Sequence, residues 1–401
     1  MKERVILLVD MNSFFASVHQ ALEPALRGKA VIVCGDPRKR HGIVLAASYE
    51  AKRPYGVKTG MTVNEARSLC PHGIFVSPQY QHYFSFSSRI VNILRDFSPL
   101  VEPFSIDESF VDISGSLGLL GQPIEIACNI KKRIKTEVGV TCSVGIGPNK
   151  LLAKMACGLQ KPDGLTAVSK EEVPLKIWPL PIRELFGVGK RYEKHLHALN
   201  IKTIGQLANF PVKILTSKFG MMGEILHLSA NGIDYSPVDP TSLENVKSIG
   251  NQITLPQDYE GFEEIKVVIL ELAEQVCYRA RMANYSGKTV SLTLRDHFLT
   301  TKSHAITMPQ PSNITSEVYQ VAVSLMKKHW PNDVKVRSVG VTLSNLTTDG
   351  NRQLDLVSDV LRQENLEKAC DTIKNRWGYD AIKRAVSLTD LGVYYERKKT
   401  R

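Results

Sequence analysis

The sequence offers little sulfur chemistry. Its seven cysteines, Cys34, Cys70, Cys128, Cys142, Cys157, Cys277 and Cys370, are scattered with no Cys-x-x-Cys pair. That excludes the usual zinc spacings and a disulfide framework, and the cysteines read as reduced, mostly buried thiols. Long hydrophobic runs are also missing. No apolar stretch approaches the length of a membrane-spanning helix, and VILLV is too short for the core of a signal peptide, so a cytoplasmic location is expected. No internal repeat or low-complexity tract occurs. Acids are in deficit, with 40 Asp and Glu against 51 Lys and Arg, a net charge of +11. Such a balance favours a polyanionic partner such as nucleic acid or an anionic membrane, although a merely soluble basic protein is also common, and the absence of a membrane segment counts against the membrane. At 401 residues and 43% hydrophobic content the chain exceeds one ordinary core and should divide into several domains.

What is present is an arrangement of acids. The apolar run from Val5 to Val9 stops at Asp10, where a buried strand would deliver an acid to a site at its end. A turn or helix cap before Ser13 explains Asp10 alone equally well. Further on, SIDESF places Asp107 and Glu108 side by side, with FSI and SFVDI as the arms of a turn. Adjacent strand residues point to opposite faces, so two neighbouring carboxylates reach one ion only where a strand ends or turns. The pair alone also suits a solvated hairpin tip. One acid after a first strand and a pair at a later turn together form the layout of a two-cation phosphoryl-transfer site.

The stretches VDMNSFFASV, AASYEAKRPYGVKTGM, SIDESFVDI, SVGIGPNKLLAKMA and KPDG occur in that order. In order and spacing they resemble the Y-family translesion DNA polymerases of the bacterial, SOS-type branch, from about Val5 to about Leu346. The resemblance implies an α+β, multidomain fold: a right hand of palm, fingers and thumb with an additional βαββαβ little finger domain. It divides the chain into palm (1–11 and 78–168), fingers (12–77), thumb (169–233), linker (234–246), little finger (247–348) and a C-terminal tail (349–401).

The local patterns agree with that division. Phe14, Phe15, Val18 and Leu22 have helical spacing up to Pro24, and a long helix from Gln79 to Phe97 should bury Phe84, Ile90, Ile93 and Leu94. Strands interleaved with helices on one face make the palm. After Pro174, Pro179 and Pro181, residues 182–199 read as helix, tight glycine turn, helix. Gly187 and Gly189 suit an ordinary αα corner. They equally suit a phosphate cradle beside Lys190 and Arg191, and the resemblance is to a thumb helix-hairpin-helix that holds the duplex backbone. The segment from Asp234 to Glu244 looks like an interdomain linker. Beyond it the order is strand, helix, strand, strand, helix, strand. Those strands carry Lys247, Arg295, Lys302 and Arg337, as a sheet facing phosphates would. A last helix has Leu366, Ala369, Ile373 and Trp377 on one stripe.

The resemblance also assigns roles. Asp10, Asp107 and Glu108, with the Met11 carbonyl, would hold two Mg2+ ions, Mn2+ substituting. Tyr49, Lys52 and Lys161 would contact the triphosphate, and Phe15 would be a steric gate against ribonucleotides. Phe14 and Phe15 cannot serve one helix face, so one should be core and the other face the site. Lys52 stands where many members have Arg, and Ala46 where some have Thr, which favours weaker nucleotide binding. Asn149, Lys150 and Lys154, at a helix start, would support the site or bind nucleic-acid phosphate. The expected partners are primer-template DNA, deoxynucleoside triphosphates and a sliding clamp, the protein being a monomer. RQLDLV, with Gln353, Leu354 and Leu356, resembles the clamp-binding peptide, although Val357 replaces its final aromatic residue. No further acidic constellation suggests a proofreading exonuclease. A nucleotide cyclase would have no use for the thumb or little finger, and intact acids argue against a non-catalytic recruitment factor.

Overall fold

In the computed structural model the described residues are 4–35, 42–331, 334–348, 360–389 and 391–393; the clamp-like segment 353–357 lies outside them. The chain forms two compact units that meet in sequence at Glu244 and Asn245, inside the expected linker.

The first unit is built on the strand β1 (Ile6–Met11), buried along its length because it runs through the centre of a sheet. The helix α1 (Phe14–Leu22) follows, then β2 (Val31–Cys34), β3 (Val44–Ala47), α2 (Tyr49–Tyr55), α3 (Val63–Leu69) and β4 (Ile74–Val76). Strands β3, β2 and β4 make a small sheet of their own. The chain returns through α4 (Tyr80–Arg95), β5 (Val101–Pro103), β6 (Glu108–Asp112), α5 (Leu117–Leu120), α6 (Pro123–Arg133), β7 (Cys142–Gly147), α7 (Lys150–Leu159) and β8 (Leu165–Ala167). The large sheet has the order β5-β6-β1-β7-β8.

Both faces of this sheet are covered, where a single helical layer was expected. Leu7, Val9 and Met11 join Val111 and Val144 in a core with α1, α4 and α6. Ile6, Leu8 and Phe110 pack instead on Ala153 and Cys157 of α7 and on Val238. The start of the expected linker is thus part of the fold. Asp234 Oδ2 accepts the Leu151 backbone N–H at the start of α7, and the Asp239 N–H donates to Glu102. In α4 the buried stripe starts at Tyr83 and Phe86, and Phe84 is 63% exposed. The helix phase is set by Tyr83, whose ring is large enough to lead the stripe and whose hydroxyl finds a buried partner in His19.

The remainder of the unit is helical: α8 (Val173–Lys176), α9 (Lys190–His197), α10 (Ile204–Ala208), α11 (Val212–Phe219) and α12 (Met221–Ala230) around one apolar cluster. Where a helix was expected before the glycines there is one 3₁₀ turn, Ile182–Glu184, started by Pro181.

The second unit has β9 (Ser248–Tyr259), α13 (Phe262–Met282), β10 (Tyr285–Asp296), β11 (Thr301–Ser312), α14 (Thr315–His329), β12 (Val336–Thr348) and α15 (Val360–Trp377). Its antiparallel sheet, β11-β10-β12-β9, buries Val290, Leu292, Leu294, Val339 and Val341 against α13 and α14. The opposite face is lined by small polar residues: Thr289 bonds Thr307, and Thr293 bonds Ser303. The α15 stripe is inverted relative to expectation, with Leu366 and Trp377 each 62% exposed while Glu367, Asp371 and Lys374 are buried. The cause is the surface beneath. Arg281 of α13 pairs with Asp371 at 2.6 Å and Glu367 at 3.0 Å, and Glu274 pairs with Lys374. Among the described residues no helix is long and apolar enough to cross a membrane.

Candidate active site

Asp10 and Glu108 are direct cross-strand partners in the β1–β6 register, so their side chains leave the sheet on one face. It is the α7 face, because Leu8 and Phe110, in phase with them, touch Ala153 and Cys157. The glycines of SVGIG bring the helix that close: a Cβ on Gly145 would stand 2.0 Å from the Ala153 carbonyl oxygen, and one on Gly147 2.7 Å from the Ala153 nitrogen. Asn149 starts the helix, its Oδ1 accepting the Leu152 N–H at 2.8 Å. Lys154 and Lys161 then fall on the acids. Lys154 Nζ lies 2.5 Å from Glu108 Oε1, and Lys161 Nζ 2.6 Å from Asp10 Oδ2. A cavity of about 390 Å³ opens beside the four side chains.

Proximity and burial drive the two acids apart in acidity. Burial pushes Asp10 up to about 7, its hydrogen bond with Glu108 acts the same way, and Lys161 opposes both. Burial pushes Glu108 up too, but the hydrogen bonds from Asp10 and Lys154 outweigh it and hold Glu108 below the usual carboxylate range. Two ammonium groups, Lys154 on Glu108 and Lys161 on Asp10, supply the positive charge that two converging carboxylates require. Hard oxygen donors so arranged fit a divalent cation.

Asp107 stands beside the pair but not in it. Its carboxylate accepts from Ser105 Oγ at 2.7 Å, and its carbonyl accepts the Met11 N–H at 2.9 Å. That second bond fastens the end of β1 to the hairpin tip. Among the described residues no three metal-ligating side chains converge, so two of the three expected acids meet and the third lies on the adjoining turn.

The expected nucleotide contacts gather at the same place. Lys52 Nζ donates to Ser13 Oγ at 2.9 Å and lies 5.0 Å from the centre of the Tyr49 ring. Burial depresses the Lys52 ammonium, and Lys161 adds to this against the pull of Asp10 and Asp107. Burial disfavours the charge of Lys161 as well, but Asp10 outweighs it and leaves Lys161 above its ordinary value. The two phenylalanines divide as expected: Phe14 is 3% exposed and Phe15 is half-buried.

Unforeseen is what holds Phe15. Its ring stacks on Tyr83 at 4.1 Å with 9° between planes, and Tyr80 meets it edge-on at 6.3 Å. His19 Nε2 lies 2.8 Å from the Tyr83 hydroxyl. The available signals were His19 four residues after Phe15 and Tyr83 three after Tyr80, each pair on one helix face. Burial, aided by His82, lowers His19 below its ordinary value against Glu23. Because the unfolded state takes up the proton near 6.5 and the folded state only at lower pH, this contribution is complete above 6.5 and is lost as pH falls below it. Urea unfolding of the intact protein should accordingly show stability dropping from pH 7.5 to 5.5, and His19→Gln should reduce the drop. An identical pH slope in the variant would reject the assignment.

The residues expected on DNA are dispersed. Gly187 and Gly189 are exposed, Gly187 with φ of 93° and Gly189 capping α9, with Lys190 exposed at its first position. Lys150 requires correction: its ammonium lies 2.9 Å from both Glu102 oxygens, which makes it a structural clasp rather than an open phosphate contact. On the second unit Arg295 pairs across strands with Thr301 and Ser338, on the polar face. Lys302 sits opposite buried Leu294 and so points to the helix side, the other correction. Arg337 lies at a β-bulge, and Lys247 immediately precedes β9. Burial pushes Cys142, Cys157 and Cys277 up to about 12, leaving them inert thiols.

Comparison with known proteins agrees with this layout. The impB/mucB/samB family matches residues 9–158 and its C-terminal domain residues 246–356, with a thumb domain described for DNA polymerase-iota matching 183–234. The DNA polymerase IV of Pelotomaculum thermopropionicum is 62% identical over 98% of this chain and 97% of its own. DNA polymerase IV 2 of Bacillus subtilis is 46% identical over 99% of this chain and 98% of its own. A solved Y-family DNA polymerase chimera of Dbh and Dpo4 superposes with a TM-score of 0.76 at 28% identity, covering 86% of this chain and 100% of the other. Matched by its family in both units and by relatives along nearly its whole length, the chain belongs to the Y family of DNA polymerases.

Proposed function

We propose that Asp10, Asp107 and Glu108, with the Met11 carbonyl, form the cation site at which this translesion DNA polymerase joins a deoxynucleotide to a primer 3′-hydroxyl. The register that sets Asp10 against Glu108 beneath Lys161 and Lys154 carries this reading. Two divalent cations, Mg2+ or in its place Mn2+, would lower the pKa of the hydroxyl and neutralise the triphosphate and departing pyrophosphate. Asp107 reaches the pair by leaving Ser105. Lys161 gives up Asp10 and, with Lys52 and Tyr49, takes the phosphates. Phe15, braced by Tyr83, lies beneath the sugar and has no partner for a 2′-hydroxyl.

The five-stranded sheet is then the palm (1–11 and 78–168), the three-stranded sheet and its helices the fingers (12–77), and the helical cluster the thumb (169–233). The linker (234–246) leads to the little finger (247–348) and the tail (349–401). Gly187, Gly189 and Lys190 would hold the duplex backbone, and Lys247, Arg295 and Arg337 would add phosphate contacts. Primer extension by the pure protein on undamaged and abasic templates with Mg2+ tests the whole. Absence of extension with any divalent metal would favour a recruitment role. Gln353, Leu354 and Leu356 would dock on a sliding clamp, with Val357 weakening the contact. In a pull-down, the Leu354→Ala, Leu356→Ala double variant should lose the clamp; full retention would remove the idea.

A further inference from the structure

Lys154 is enclosed on three sides. Its ammonium meets Glu108 Oε1 at 2.5 Å and lies over two rings, Phe104 at 5.5 Å and Phe186 at 5.6 Å from their centres. The rings also touch each other, edge to face, at 6.0 Å, and Phe104 meets Phe110 in the same way at 5.4 Å. Phe104 belongs to the turn that carries Asp107, and Phe186 directly precedes Gly187.

A lysine head on a four-carbon stem is ordinarily free to move. Here two aromatic faces attract it, and its side chain is only 21% exposed. A glutamate in turn has several rotatable bonds, and a cation ligand must present one defined oxygen. With Oε1 bound to Lys154, the other oxygen is left for a cation. Lys161 is different: its ammonium stands on Asp10 with no ring contact among the described residues, so it can leave for a phosphate.

We propose that Lys154 is a positioning residue for the Glu108 carboxylate, fixed in place by Phe104 and Phe186, and that it stays on Glu108 when a cation binds. The proposal rests on the assignment of Glu108 as a cation ligand. Partners that orient a ligand typically change metal affinity by about 10- to 100-fold when removed. Phe186 acts only through Lys154, so the effects of the two residues should not add.

The test is Mn2+ binding, read from the paramagnetic resonance signal of free Mn2+, in the complex of the full chain with dideoxy-terminated primer-template and a matching deoxynucleotide. No turnover occurs in this complex. Lys154→Met should weaken Mn2+ binding about tenfold or more, Lys154→Arg should restore most of it, and Phe186→Leu should weaken it by a smaller factor. The double variant should be no worse than Lys154→Met. Binding by Lys154→Met equal to that of the parent, or losses that add in the double variant, would overturn the proposal. If Lys154→Met does not fold, as judged by thermal unfolding, Phe186→Leu decides alone, and unchanged Mn2+ binding there overturns it. Glu108→Gln separates the two levels. If it binds Mn2+ as the parent does, the ligand assignment fails; if it does not, only the role of Lys154 is in question.

Discussion

Glu108→Ala is expected to abolish primer extension, with a loss of at least about a thousandfold, while leaving primer-template binding nearly unchanged. The carboxylate faces Asp10 across the β1–β6 register, and no nearby acid among the described residues duplicates it. Removing it leaves two lysines, Lys154 and Lys161, beside the two remaining acids of the proposed site, with too little net negative charge to gather divalent cations. Asp107→Ala should have the same effect for a simpler structural reason. Among the described residues its side chain is hydrogen-bonded only within its own turn, to Ser105, so truncation should cost the fold little and the loss report chemistry. On the proposed assignment of the phosphate contacts to the thumb and little finger, DNA affinity should survive in both variants. Extension at near-normal rates by either variant would show that the cation site lies elsewhere.

Phe15→Ala should yield a folded polymerase that still inserts deoxynucleotides and inserts ribonucleotides orders of magnitude more readily. The ring is half-buried and supported from behind by Tyr83, which is itself fully buried and held by its contacts with Phe14 and His19. On the proposed gate role, what disappears is bulk beneath the sugar, and with it the clash and the unpaired hydroxyl that would exclude a ribonucleotide. Phe14→Ala provides the contrast. Phe14 is 3% exposed and packs among Leu7, Val18 and Tyr83, so its truncation should cost about 3–5 kcal/mol of stability and leave sugar choice alone. Single-nucleotide insertion kinetics with paired ribo- and deoxynucleotides, beside chemical unfolding, separate the two. Unchanged sugar discrimination in a folded Phe15→Ala protein would refute the gate.

Much of this site was legible because its signals are local. An apolar run ending in an acid, two acids at a turn, adjacent phenylalanines on one helix and strands of period two each depend on neighbours within a few residues. The Phe14 and Phe15 division followed from the 100° step of a helix alone. The strand and helix order of the second unit followed from alternating apolar positions, and the unit boundary fell inside the segment of few apolar residues before it.

Other features were decided by what lies across from a residue, which no local pattern encodes. Lys150 looked like a free cation until Glu102 was placed under it, and Lys302 looked outward until its cross-strand partner proved to be buried Leu294. The α15 stripe was inverted by Arg281 and Glu274, and half of a supposed linker was drawn in by an exposed sheet face that needed Val238. The amino-acid sequence by itself determined the elements, the acids and the family. The tertiary structure decided which charges meet, because ion pairs such as Lys161 with Asp10 and Lys154 with Glu108 join residues far apart in the chain, through strand register and the close approach of α7 at Gly145.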